Sequence, residues 1–135
     1  SLMSAYSDYK LSQKVAVKTT QYYEAKQRAF ERLEELDKFL CNAYIFSSIE
    51  DAYFEIVSQD IYTCADFGNE ALEIQYDDSS HVFSFKEPIA DGQYLLVEVA
   101  ICFPEELTDT FYRILTLRSV YDAKVPEEEY LNLIE

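Results

Sequence analysis

The sequence predicts an α+β fold: a long N-terminal helix and a second helix packed on a three-stranded antiparallel meander, followed by one or two C-terminal helices. Three observations lead there. Residues 9–44 keep a helical apolar period with no Gly or Pro. The middle of the chain switches to two-residue alternation. Helix and strand patterns are segregated along the chain rather than interleaved, which separates α+β from α/β.

The first helix spans 9–44. Val15, Tyr22, Ala29, Leu36 and Ala43 recur every seven residues, and Leu33 and Leu40 widen the same stripe. Ser7 or Asp8 is the expected N-cap. Such a helix is about 50 Å long at 1.5 Å per residue, longer than a small domain is wide. It must bend, break or project, and its heptad-like seam invites pairing with another helix, within the fold or in a homodimer.

Ser47-Ser48-Ile49-Glu50 has the form of a capping box, with Ser47 as N-cap. Ile49, Tyr53, Ile56, Val57, Ile61 and Cys64 follow at helical spacing, and Gly68 is a natural terminator, so a second helix is expected over 48–64. A strand over 53–57 competes, because Tyr, Phe, Ile and Val favour strands.

Leu72, Ile74 and Tyr76 then alternate with polar residues, as in a half-buried strand. Asp77-Asp78-Ser79-Ser80 is turn chemistry. Val82 to Lys86 alternates again, and Pro88 to Gly92 reads as the next turn. Tyr94 to Phe103 is the longest expected strand. Pro104-Glu105-Glu106-Leu107 resembles a helix opening, favouring helix up to Tyr121, although Tyr112 to Tyr121 also alternates as a strand would. Val125-Pro126 opens a short final helix ending in Leu131, Leu133 and Ile134.

The 135 residues suit one domain, 49% hydrophobic, so a core forms without staples. Ser1-Leu2 reads as a cloning scar before Met3. No apolar leader or membrane-spanning run follows. Cys41, Cys64 and Cys102 are odd in number and lack CxxC spacing, which suits reduced, buried thiols and a cytoplasmic location.

Charge is the unusual quantity. The formal net charge is −15. Residues 1–44 hold seven Lys/Arg and six Asp/Glu, whereas residues 45–135 hold four and twenty. A field confined to part of a fold is directional. It repels nucleic acid and anionic membrane and attracts a basic protein partner.

Catalytic signatures are weak. His81 is the only histidine, so neither a Ser–His–Asp triad nor a multi-histidine metal centre is available beyond Asp77-Asp78-x-x-His81. Asp66-Phe67-Gly68 spells the kinase tripeptide without the other kinase motifs. Two glycines exclude a P-loop or dinucleotide fingerprint. No enzyme activity and no cofactor is expected; a carboxylate enzyme using Asp77 and Asp78 is the remote alternative.

The expected function is an acidic protein-binding inhibitor that occupies a basic, nucleic-acid-binding site on a partner such as a nuclease. This is the role of nucleic-acid mimics of the kind phages encode and of immunity proteins. The alternative is a dimeric cytoplasmic chaperone or adaptor similar in size and acidity to secretion chaperones. Twelve tyrosines interleave with the acids, and Tyr supplies rigid amphipathic contact area. The expected partner-binding residues are Tyr76, Asp77, Asp78, Glu127, Glu128, Glu129 and Tyr130, because turn tips and helix starts face outward.

Overall fold

A computed structural model describes residues 2–64, 72–106 and 110–122. Within them the architecture is α+β, with helices on one face of a four-stranded antiparallel sheet. Helix α1 runs Leu2–Phe46 and α2 runs Glu50–Asp60, continued by a 3-10 turn at Ile61–Thr63. The strands are β1 (Gln75–Asp77), β2 (Val82–Ala90), β3 (Gln93–Ile101) and β4 (Tyr112–Tyr121), side by side in chain order.

The apolar stripe of α1 sets the core. Ala25, Ala29, Leu33, Leu36, Leu40 and Ala43 are buried against the sheet and α2. Along β2 and β3, Phe83 and Phe85 alternate into that core and meet Leu95, Val97, Val99 and Ile101. Tyr53, Val57 and Ile61 close it from α2. The seven-residue stripe of α1 therefore packs on its own sheet from Tyr22 onward, while Val15 is exposed.

Neither expected cap of α1 acts as one, because the helix continues through Ser7 and Asp8 to Leu2. The capping box is also not formed. Ser47 donates its amide to Ala43 and so belongs to the end of α1. Ile49 takes the N-cap position of α2 without a side-chain cap. Gly68 lies outside the described residues, as does the expected helix after Val125.

The sheet has one strand more than the meander expected, because 112–121 is strand, not helix. A bulge explains why the sequence misleads. Glu98 pairs with Thr116 but Val99 pairs with Ile114, so Leu115 is an extra residue. The insertion breaks the alternation and leaves a spacing that imitates a helix. Long-range pairing to β3 then decides the conformation.

Strand β2 also runs further than expected, through Pro88 to Ala90, and the reversal is only Asp91-Gly92. Pro88 is tolerated because β1 pairs with residues 82–84 alone, which leaves the outer edge of β2 unpaired at Pro88. Gly92 supplies the positive φ of 71° that the tight turn requires.

One acid is inside. Glu87, 2% exposed, continues the inward positions of Phe83 and Phe85 and is clamped by α1. Arg28 Nε donates to Oε1 at 3.0 Å and Arg32 Nε to Oε2 at 2.5 Å, while Arg28 Nη2 donates to the Pro88 carbonyl at 2.7 Å. Two guanidinium groups compensate the desolvated carboxylate and fix the register of α1 on the sheet. They also place residues 2–20, all of them exposed, beyond the sheet end that holds the β2–β3 turn.

Candidate protein-binding surface

Where a helix end meets a helix start, apolar side chains lack a sheet to cover them. The last turn of α1 and the approach to α2 leave Ile45, Phe46 and Ile49 at 70%, 86% and 69% exposure. Beside them a groove of about 290 Å³ opens between the helices, lined by Phe39, Asn42, Ala43, Phe46, Ile56 and Asp60. Large apolar side chains at a corner with a groove behind them are the anchors from which protein interfaces are built.

Helix α2 gives this corner an acidic rim. Its apolar face is used by Tyr53 and Val57, so Glu50, Asp51, Glu55 and Asp60 are left outward. The exposed face of α1 adds Glu24, Glu31, Glu34 and Asp37. No Lys or Arg occurs between Lys38 and Lys86, a gap that holds nine acids. That gap is the sequence signal that finds the surface; reading turn tips alone misses it.

The cations lie elsewhere. Residues 45–122 contain Lys86, Arg113 and Arg118, and the register puts all three on the sheet face turned away from the helices. Lys86, Leu96 and Arg118 stand in one row across three strands; Asp77, Val82, Ala100 and Arg113 stand in another. Lys86 bonds Glu73 at 2.6 Å and sits 4.9 Å from the centre of the Tyr94 ring. On α1, Arg28 and Arg32 are committed to Glu87, and Lys38 to Glu35 at 3.2 Å. Over residues 31–60 the helix layer is thus anionic outward, the exposed first half of α1 carries Lys10, Lys14 and Lys18, and the sheet face turned away from the helices mixes both signs.

The β1–β2 turn joins the acidic side at α2. His81, in the left-handed region at φ 58°, stacks on Phe54 with centroids 3.7 Å apart. Its Nδ1 lies 3.2 Å from the Tyr76 hydroxyl. Burial pushes the Tyr76 phenol up. The Tyr62 hydroxyl accepts the Tyr76 amide at 3.1 Å. Asp77 accepts the Ser79 amide at 3.0 Å and hydroxyl at 2.7 Å, and these bonds hold its carboxyl down to about 2. These bonds tie the Asp77 carboxylate across the turn.

Of the expected binding residues, Asp77 and Asp78 are exposed at this tip, but Tyr76 is half-buried and engaged with His81. Glu127, Glu128, Glu129 and Tyr130 lie outside the described residues. Tyr53, flanked by Asp51 and Glu55 in sequence, is fully buried rather than a surface tyrosine. Its hydroxyl donates to the Cys102 carbonyl at 3.0 Å, in a cluster with Tyr44 and Phe103. Among the described residues no group of three His, Cys, Asp or Glu could hold a metal ion, and the three thiols are free, with Cys64 buried and Cys41 and Cys102 half-buried. No described helix is long and apolar enough to cross a membrane. Comparisons of the chain with protein-family models, with curated proteins and with solved structures find no match.

Proposed function

We propose that this chain is an acidic protein-binding domain that blocks a basic, nucleic-acid-binding site on another protein. One observation carries the reading: α2 presents four acids and no cation beside the exposed Ile45–Phe46–Ile49 corner, while the cations among the described residues 45–122, Lys86, Arg113 and Arg118, lie on the opposite sheet face. The carboxylates would stand where nucleic-acid phosphates bind, giving fast, salt-sensitive association. The apolar corner would supply the contacts that outlast salt.

The test uses purified nucleases and DNA-binding proteins as probes, with duplex DNA as competitor. At least one probe should bind with an affinity that falls steeply with salt, and duplex should displace the chain. Glu50→Lys/Glu55→Lys should weaken binding at least tenfold, and Arg113→Glu/Arg118→Glu should not. Binding that ignores salt, or that follows the sheet-face variant instead, would contradict the reading. Salt-independent binding through the sheet face would favour a chaperone or adaptor, a reading supported by the half-buried apolar residues Tyr94, Leu96 and Val120 on that face.

A further inference from the structure

Helix α1 has a second seam. From Leu2 to Phe30, stepping four and three residues alternately, nine positions are uncharged and every one is exposed. This line lies on the side of α1 opposite the buried stripe, so the domain's own sheet cannot cover it. It includes Tyr6, Tyr9, Tyr23 and Phe30, at 59%, 60%, 61% and 41% exposure. This uncharged line, 29 residues long, has the spacing of a coiled-coil seam, with Gln13, Thr20 and Gln27 as its polar positions. Residues 2–20 touch no other element with enough area to be buried, whereas most helical stability in proteins comes from packing an apolar face.

We propose that a second copy of this chain covers the seam, as an antiparallel pair of α1 helices related by a two-fold axis near Lys18. The occupant follows from self-complementarity. In this register Tyr6 faces Phe30 of the other copy, and Tyr9 and Tyr23 face Gln27 and Gln13. Ala16 and Thr20 meet at the axis, where small residues let the backbones approach. The Thr20 hydroxyl is already engaged with the Ala16 carbonyl at 2.9 Å, so it brings no unsatisfied polar group. Lys10 flanks the seam on the same side as Glu24, and the antiparallel register brings Lys10 beside Glu24 of the other copy, twice per dimer. A parallel pair is disfavoured by the continuation of the seam. Its next positions are Glu34 and Asp37, which would each face their own copy. The antiparallel register sets Glu34 against Leu2 of the other copy rather than against itself, carries Asp37 past the overlap, and holds the two anionic bodies at opposite ends.

This pairing stands apart from the blocking function, because the seam uses none of the acids of α2. Sedimentation equilibrium over a concentration series tests it. The wild-type chain should be a dimer at micromolar concentration, and Tyr9→Glu/Tyr23→Glu should be a monomer with an unchanged far-UV signal per residue in the sheet region. Lys10→Glu and Glu24→Lys should each raise the dimer dissociation constant several-fold, and Lys10→Glu/Glu24→Lys together should restore it. These two residues lie 14 positions apart on one helix and cannot meet within a chain. A wild-type monomer at all concentrations, a dimer unaffected by Tyr9→Glu/Tyr23→Glu, or failure of the double charge swap to restore association would overturn the proposal.

Discussion

Glu87 illustrates how much a single residue decides here. A carboxylate at an inward strand position is costly unless paired, and both of its oxygens are paired with arginines four residues apart on α1. Glu87→Ala removes a buried carboxylate that two guanidinium groups share, one of them on a side chain only 17% exposed, and should cost about 3 kcal/mol in denaturant unfolding. Arg28→Ala should cost about 1 kcal/mol, since that side chain is 44% exposed and solvent screens it. The alternating pattern of β2 gave no hint of this pair, because Glu87 looks like an ordinary acid before a turn; only the strand's continuation through Pro88 turns it inward. Burial also pushes the Cys64 thiol up to about 11, with the charge of Glu35 adding to the effect, and pushes the Tyr53 phenol above its ordinary value near 10. Both groups fold best protonated. Their contribution is complete below pH 9 and declines as pH rises from 9 toward 11 and beyond, because the unfolded chain ionises first. Thermal unfolding should show a falling melting temperature across that window, and Cys64→Ala should flatten the part between 9 and 11.

At the scale of elements, α1 behaves as two different helices. Its second half is held by the sheet and its first half is not, although both carry apolar residues at similar spacing. Leu36→Ala should cost about 3 kcal/mol, as large-to-small changes in a packed core do. Val15→Ala, in the same seven-residue series, should change stability by less than about 0.5 kcal/mol. Equal losses at the two sites would show that the arm is packed as the core is. Periodicity made α1 legible from the sequence, because nothing interrupts it, and the hairpin of β2 and β3 was legible from alternation. What periodicity could not say is where along α1 the sheet stops, since that depends on the Arg28–Glu87 anchor. Strand β4 was hidden for a different reason: Leu115 bulges out of register, and only pairing to β3 reveals the strand. Its exposed edge carries Arg113 and Arg118, charges that discourage a further strand from adding there.

Across the whole molecule, the sorting of charge is what links fold to function. The imbalance between the two ends of the sequence was plain from composition, yet its direction in space needed the sheet register. Alternation along β2 turns Lys86 to one face, the Leu115 bulge brings the oddly spaced Arg113 and Arg118 of β4 to that same face, and the amphipathic turns of α2 send its acids to the other. The tyrosines were less readable, since half of a tyrosine's surface is apolar and the core claims Tyr53 while Tyr76 serves the turn. The most direct measurement of this sorting is the relaxation enhancement of backbone amides by a cationic and, separately, an anionic paramagnetic cosolute at low salt. The account predicts that the cationic probe concentrates at residues 45–60 and at the Asp77–Asp78 tip, with little excess along residues 84–96 and 113–118. Equal enhancement of both faces by both probes would contradict it.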